Sequence, residues 1–499
     1  MKIIIPMTGR SMRFKLHGIE TPKQFLEIEN REVYKHIVDM FPGEDDINFI
    51  VNKEDHKNKA LEKYFLQLKD FKITEIDYQQ SGPGGALLES GLLETNEPIL
   101  INYCDFANIW DWKEFNKFIQ TYNPDGVLPA YSGLHPHSIY GNDYAFLKLR
   151  NKNVIGIQEK KPYTNNKMYE YASTGAYYFK SGVLAKKYLL DAFELKEFTN
   201  GEMYVSSVFR KMITDKLKIL PFEINHFFQW GTPEDYLEFK YNLEEVRNFN
   251  SKKKIDIEKI NLIIPAAGES KRFREKNYKQ SKIYLKINKY SILENIINCF
   301  SNNKFQQILI QKKDFIEKIK FTKDKDIVKI SNKTASQAES AFILINEIQN
   351  DYPILIHSAD CILDKNTKID TEDCDIIVYT KENYRRAFFD YQNYGWVNSK
   401  NKKIKNLRIK KKPISFDSNV IVGVFLFKNK EVYKNIYNDT ILNLSNKNIE
   451  IHIDHLIKTA LKKGYKIKEV SSRNTIMLGT PVEYELFKYM QFVSNYINK

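Results

Sequence analysis

The feature that most limits how this chain can fold is an internal repeat. Three residue pairs recur 259 positions apart: Gly9 and Gly268, Arg13 and Arg272, and Lys23 and Lys282. The Pro-Ile-Leu-Ile of residues 98–101 recurs at 353–356, and the Gly-Thr-Pro of residues 231–233 recurs at 479–481. The order is kept while the separation falls to 255 and then 248 residues, which indicates two copies of one domain with small deletions in the second.

The repeat predicts the domain organisation. The chain has 499 residues, enough for two ordinary domains that each have a full core. We predict a first copy over residues 1–247, a linker over residues 248–259 and a second copy over residues 260–499. Short apolar runs alternate with segments of helical periodicity, which predicts an α/β fold with a mostly parallel sheet.

Composition narrows the class of protein. Aromatic residues make up 13% of the chain, which disfavours disorder, and no apolar run approaches the length of a membrane span. The four cysteines show no metal-ligand spacing, and with no export signal they predict a cytoplasmic protein. The net charge of +14 fits either attraction to anions or lysines spread over solvated faces. We favour the second interpretation and expect no nucleic-acid partner, while an oligomer stays open.

The opening segment combines a buried strand with a loop of small residues. The apolar run at residues 3–5 predicts the strand, and the loop after it contains Gly9 and Ser11. Such a loop presents backbone N–H groups to anions, and Arg13 and Lys23 add positive charge. A plain turn is the alternative, but recurrence of the loop in the second copy favours a polyphosphate site.

An aspartate follows the central apolar run of each copy. Asp105 ends the run that begins at residue 98, and Asp360 stands at the equivalent point of the second copy. Open α/β sheets bind ligands at the carboxyl ends of their strands, and a carboxylate beside a phosphate loop suits Mg²⁺. A helix cap is the alternative for one such residue, but the matched pair favours a metal site.

Two other segments leave alternatives open. The glycines of residues 82–85 predict either close approach to a flat ligand or a tight turn before a helix at 86–93. His135 and His137 predict contacts to phosphate or sugar hydroxyls, a metal site that lacks a third ligand, or a structural loop, and the structural loop is favoured.

Both copies resemble the nucleotidyltransferases that activate sugar phosphates, such as the glucose-1-phosphate and mannose-1-phosphate members. The resemblance covers nearly all of residues 1–245 and about 260–495. Its motifs in the first copy are Gly9, Arg13-Phe14, Pro22-Lys23, Asp105, Glu159-Lys160, Thr174-Gly175 and Gly231-Thr232-Pro233.

The resemblance implies two tandem Rossmann-like domains of the GT-A type, with mixed sheets, and a definite reaction. A sugar or polyol phosphate would attack the α-phosphorus of a nucleoside triphosphate, with Mg²⁺ as cofactor. Pyrophosphate would leave and a nucleotide-activated sugar would form, for surface polysaccharide or capsule biosynthesis.

The resemblance also implies the roles of particular residues. It places catalysis on Arg13, Lys23, Asp105, Arg272, Lys282 and Asp360, with Asp105 and Asp360 as the metal ligands. It places substrate binding in the first copy on Thr8, Gly9, Arg10, Ser11, Met12, Gln79, Gly82, Gly84, Glu159, Lys160, Thr174 and Gly175. In the second copy it places substrate binding on Gly268, Glu269, Ser270 and Gln337.

The chain departs from the family pattern at the metal site. Many relatives have a second metal-binding aspartate two residues before the closing Gly-Thr, where this chain has Gln229 and Met477. Glu202 and Glu450 are candidates to compensate.

The second copy departs further. Ser281 replaces the proline of the Pro-Lys pair, and Lys410 aligns with Glu159. We therefore expect altered partner specificity in the second copy, with the phosphate and metal site retained.

Three alternatives to two active enzymes remain. The second copy is then a regulatory or structural nucleotide-binding domain, or the chain is a GT-A glycosyltransferase or a non-catalytic nucleotide sensor. A glycosyltransferase usually carries Asp-x-Asp, which neither Asp105 nor Asp360 provides. Neither the base nor the sugar follows from the sequence.

Overall fold

The computed structural model describes residues 1–77, 81–199, 201–266, 268–301, 305–310, 327–329, 334–370, 373–444 and 449–498. The chain forms two compact units, Met1–Lys240 and Tyr241–Lys499. The division falls inside the helix Pro233–Asn250. No helix in this described part of the chain is long and apolar enough to cross a membrane.

The segment expected to be a linker packs against the second unit. Ile255 and Ile257 are each 1% exposed, and the Ile255 N–H donates to the Cys299 carbonyl over 2.8 Å. These two isoleucines therefore anchor the segment to the second unit, while residues 251–254, 256, 258 and 259 are exposed.

The first unit is built on one mixed sheet. In spatial order its strands are Asn153–Glu159, Ala145–Arg150, Tyr171–Ser173, Gly126–Tyr131, Ala176–Phe179, Ile99–Asn102, Lys2–Met7, Ile47–Asn52 and Lys72–Ile76, with Ile219–Glu223 beside Gly126–Tyr131. Pairs from Ile99–Asn102 to Lys72–Ile76 are parallel. On the other side, all pairs except that of Ile219–Glu223 are antiparallel. The sheet is mixed as expected, but mostly parallel pairing holds only around the first strand.

Helices and short ribbons complete the first unit. Its α-helices are Met12–Leu16, Val33–Val38, Lys53–His56, Glu62–Phe65, Gly82–Glu89, Trp112–Tyr122, Gly182–Glu194, Val205–Thr214 and the start of Pro233–Asn250. Its ribbons pair Glu27–Ile28 with Arg31–Glu32, and Phe106–Ile109 with His226–Gln229. The first strand lies inside the sheet, between Ile99–Asn102 and Ile47–Asn52, and its apolar run is fully buried, with Ile3, Ile4 and Ile5 each 0% exposed.

The second unit has its own mixed sheet. In spatial order its strands are Ile327–Lys329, Phe305–Ile310, Ile260–Ile264, Ile354–His357, Asn419–Phe427, Ile376–Lys381, Ile467–Ser471, Lys403–Ile409 and Gly395–Lys400. Its α-helices are Lys271–Glu275, Ile292–Asn298, Gln337–Asn346, Arg385–Phe389, Lys430–Leu444, Ile453–Lys462 and Pro481–Ile497. Its ribbons pair Lys286–Ile287 with Tyr290–Ser291, and Cys361–Ile362 with Ile476–Met477.

Candidate active site

In the first unit, the loop after the first strand holds Lys23 in place. Ser11 is left-handed (φ 51°) and precedes the short helix Met12–Leu16. Its Oγ accepts the backbone N–H of Lys23 over 3.1 Å. The first N–H groups of a helix have no partner inside it, so this turn offers donors to an anion beside a lysine.

Lys23 and Asp105 form an ion pair at the carboxyl edge of the sheet. Lys23 Nζ lies 2.6 Å from Asp105 Oδ2, with the two side chains 22% and 23% exposed. Burial by itself lowers the pKa of Lys23, but the negative charge of Asp105 outweighs it and the pKa is raised. Lys23 is therefore charged at neutral pH.

The second unit has the same constellation. Ser270 is left-handed (φ 53°), and its Oγ accepts the Lys282 N–H over 3.1 Å. Lys282 Nζ lies 2.9 Å from Asp360 Oδ2, and Ser358 Oγ donates to the same carboxylate. Burial raises the pKa of Asp360, but Lys282 and Ser358 outweigh it and the pKa is lowered.

Most of the site residues expected from the sequence line one cleft in each unit. The cleft of the first unit, about 450 Å³, is lined by Thr8, Gly9, Arg10, Ser11, Met12, Arg13, Lys23, Gly82, Asp105, Glu159, Lys160, Thr174 and Gly175. The cleft of the second, about 730 Å³, is lined by Gly268, Glu269, Ser270, Arg272, Lys282, Gln337 and Asp360. Gln79 lies outside the described residues.

Gly84 does not face the cleft, and its assignment to substrate binding is corrected. Residues Gly82–Glu89 form a helix. A Cβ on Gly84 would lie 2.5 Å from Met203 Cε and 2.9 Å from the Met203 carbonyl oxygen, which accepts the Gly84 N–H over 3.0 Å. The absence of a side chain at Gly84 allows this close packing. The helix begins at Gly82 rather than at Ala86, so the glycines form its first turn and not a separate turn before it.

The two histidines of the His-Pro-His loop are structural. His135 and His137 are 3% and 9% exposed, and the Tyr131 hydroxyl lies 2.7 Å from His137 Nε2. Burial lowers the pKa of His135 to about 4 and that of His137 well below its usual value. The rings of Tyr144 and Phe227 pack on His137. Both imidazoles are therefore part of the packed interior of the loop.

Oxygen donors that suit Mg²⁺ occur beside Asp105. Gln229 lines the cleft; its Nε2 donates to Asp235 over 3.0 Å, and its buried Oε1 has no hydrogen-bond partner among the described residues. A Cβ built on Gly231 would lie 2.8 Å from Asp105 Oδ2 and 3.5 Å from Gln229 Nε2, so the two side chains are neighbours. One carboxylate with an unpaired amide oxygen fits Mg²⁺, which keeps several water or phosphate ligands.

The second unit has a different set of donors. Met477 stands where the first unit has Gln229, and a thioether does not suit Mg²⁺. Glu483 Oε2 lies near Asp360 but already accepts the Thr480 N–H over 2.8 Å. In the described part of the chain, no group of three or more His, Cys, Asp and Glu side chains is arranged to hold a metal.

Lys410 of the second unit stands in the backbone position that Lys160 holds in the first. Lys160 and Lys410 each follow a strand directly and are left-handed, with φ of 55° and 52°. Their N–H groups donate to the Tyr144 and Tyr394 carbonyls over 2.9 and 3.0 Å. Lys410 is thus the counterpart of Lys160, and its alignment with Glu159 is corrected.

At the position of Glu159, the second unit has Ile409. Glu159 Oε2 accepts the Ser206 hydroxyl over 2.6 Å, and burial raises the pKa of Glu159 despite Ser206 and Lys160. Lys160 Nζ lies over the Tyr204 ring, 5.3 Å from its centroid. Sequence spacing alone missed this register because the connecting loops differ in length.

Among known proteins, the chain is similar to solved structures only. No family model and no curated protein matches the chain. A nucleoside-diphosphate-sugar pyrophosphorylase from Vibrio cholerae is 24% identical, with a TM-score of 0.38 over 48% of this chain and 99% of its own. A Bacillus anthracis protein assigned as a glucose-1-phosphate thymidylyltransferase is 19% identical, with a TM-score of 0.39 over 48% of this chain and 92% of its own. The inositol-1-phosphate CTP transferase from T. maritima is 16% identical, with a TM-score of 0.37 over 47% and 96%. Similarity at this level defines neither a family nor an activity for the present chain.

Proposed function

We propose that the chain is a tandem nucleotidyltransferase that transfers a nucleoside monophosphate from a triphosphate to a sugar or polyol phosphate. The observation that carries the proposal is the repeated site: in each unit a left-handed serine turn, a lysine and an aspartate meet in one cleft. The domain boundaries and the duplication remain part of this proposal. The cytoplasmic location and a role in surface polysaccharide synthesis rest on cysteine usage and on the family resemblance.

The groups present suit a reaction between anions. The attacking phosphate oxygen is already ionised at neutral pH, so no general base is needed, and catalysis consists of positioning and charge stabilisation. Arg13 and the loop N–H groups would hold the departing pyrophosphate. Lys23 and Asp105 are paired at 2.6 Å. An incoming phosphate would therefore compete with Asp105 for the Lys23 ammonium group.

A divalent cation belongs to this proposal. Asp105 and the Gln229 amide oxygen would hold Mg²⁺ in the first unit, and Asp360 would hold it in the second. When bound, the cation neutralises phosphate charge during the displacement. Glu159, Lys160 and the Thr174-Gly175 turn would face the sugar phosphate.

Pyrophosphate release tests the proposal. The protein is incubated with each nucleoside triphosphate, a panel of sugar and polyol phosphates, and Mg²⁺. We expect Asp105→Ala and Asp360→Ala to abolish release from different substrate pairs, since each removes the carboxylate of one cleft. Asp417→Ala changes an exposed acid of the second unit and serves as the control.

Two outcomes decide between the alternatives. An unchanged rate in Asp360→Ala for every pair that reacts means that the second unit is a helper domain. No release from any pair, with all variants folded, refutes the proposed function.

A further inference from the structure

The two clefts carry a carboxylate on different elements, Glu159 at a strand end in the first unit and Asp454 on a helix in the second. The helices Val205–Thr214 and Ile453–Lys462 begin 248 residues apart, and the second residue of each is Ser206 and Asp454. In the first unit, Ser206 binds Glu159 at the strand end. In the second unit the strand end is apolar, and the acid stands on the helix.

Asp454 faces the second cleft beside a cationic group. It lines the cleft together with Lys410, His452 and Glu450, and it lies directly against Gly395, where a side chain would collide with it. Lys410 Nζ lies 2.8 Å from His452 Nε2, and Glu450 Oε2 lies 3.7 Å from the same nitrogen. No described residue donates a hydrogen bond to the Asp454 side chain.

We propose that Asp454 binds acceptor hydroxyl groups in the second cleft, the role that Glu159 would have in the first but from a different element, so that the two clefts select different acceptor phosphates. The inference rests on the proposed function, because it names the acceptor subsite of that reaction. A carboxylate accepts hydrogen bonds and donates none, so a polyhydroxylated ligand is the class that satisfies it. Lys410, the counterpart of Lys160, supplies the adjacent positive charge.

The state of the carboxylate supports this assignment. Burial raises the pKa of Asp454 to about 6, and Lys410 only partly opposes the rise. A partly buried carboxylate without donors is costly, and ligand hydroxyls would remove that cost.

The position of the acid also separates the two subsites. Glu159 approaches the ligand from the end of a strand, whereas Asp454 approaches it from the first turn of a helix. The two carboxylates therefore meet different hydroxyls of an acceptor whose phosphate is held by the lysine after the strand. We expect acceptors of different stereochemistry for the two clefts.

Kinetics of one cleft at a time test the proposal. In the Asp105→Ala protein only the second cleft reacts, and the acceptor panel identifies its substrate. Asp454→Asn is expected to raise the KM for that acceptor roughly 10- to 150-fold, the range for losing hydrogen bonds to a charged group, with the KM for the triphosphate unchanged. A purely structural role would not separate the two KM values in this way.

Matched variants complete the design. In the Asp360→Ala protein, Glu159→Gln should raise the acceptor KM of the first cleft, while Asp454→Asn leaves it unchanged. The double change Ile409→Glu with Asp454→Ser gives the second cleft the arrangement of the first. Its acceptor preference should move toward that of the first cleft.

Calorimetry of the acceptor phosphates alone, without triphosphate, separates the two proposals. Pyrophosphate release with an acceptor KM unaffected by Asp454→Asn overturns the subsite and leaves the proposed function standing. Acceptor binding that depends on Asp454 without pyrophosphate release leaves the subsite and overturns the proposed function. If neither acceptor binding nor pyrophosphate release is detected, both proposals are overturned.

Discussion

Asp454→Asn should make the ligand-free second unit more stable at neutral pH, although it weakens the acceptor site. The pKa of Asp454 rises from 3.8 to about 6 on folding, mainly because the carboxylate is buried. At 1.36 kcal/mol per pH unit, ionised Asp454 costs about 3 kcal/mol of unfolding free energy above pH 6. Asparagine has the shape of the protonated acid and removes that cost.

The pH dependence fixes the sign of this effect. The folded state binds its proton more tightly, so the wild type loses stability as pH rises from 3.8 through 6 and loses no more above that. The gain from Asp454→Asn is therefore about 3 kcal/mol at pH 8, about half of that at pH 5, and absent below the unfolded pKa.

Thermal unfolding at pH 8 and pH 5 measures the gain. For a unit of this size we expect a rise in Tm of about 6–12 °C at pH 8 and a smaller rise at pH 5. Asp417→Asn, at an exposed position, should change stability by less than about 0.5 kcal/mol. Lower stability of Asp454→Asn at pH 8, or a gain that is the same at both pH values, would show that the carboxylate is already compensated.

Two further substitutions test packing around the clefts. Gly84→Ala should destabilise the first unit by about 1–3 kcal/mol, since the new Cβ would lie 2.5 Å from Met203. Gly9→Ala is the control and should be near neutral, because no atom lies within 4 Å of its Cβ. Thermal melts compare the two variants, and equal effects would contradict the packing role of Gly84. Glu483→Gln should lower the free energy of unfolding by about 1.5–3 kcal/mol, because the carboxylate accepts the hydroxyls of Tyr384 and Tyr394 over 2.8 and 2.6 Å. Urea unfolding measures the loss, and Tyr384→Phe is a milder control. No loss of stability would contradict the role of these buried hydrogen bonds.

The sequence predicted the centre of each site better than its margins. Strand ends and turns are local features, so the loop at Ser11, the lysine that follows it and the aspartate after the central strand were visible from apolar runs and their repetition. The structure brings Lys23 and Asp105 to 2.6 Å, which the sequence implied only through the family resemblance.

The margins depended on contacts between distant segments. Gly84 packs on Met203, although the family resemblance implies that it binds substrate. His137 is buried against Tyr144, which agrees with the structural loop that the sequence favoured.

The sequence by itself therefore predicted the repeat, the alternation of strands and helices, and the charged residues at the strand ends, because periodicity, turn residues and recurring motifs can be read directly along the chain. Only the tertiary structure showed that Lys410 corresponds to Lys160, and that Asp454 and Lys410 line the same cleft of the second unit. The physical reason is that the pairing of strands and the packing of a helix against them are chosen by the whole core, and insertions in the connecting loops hide that register from any fixed spacing.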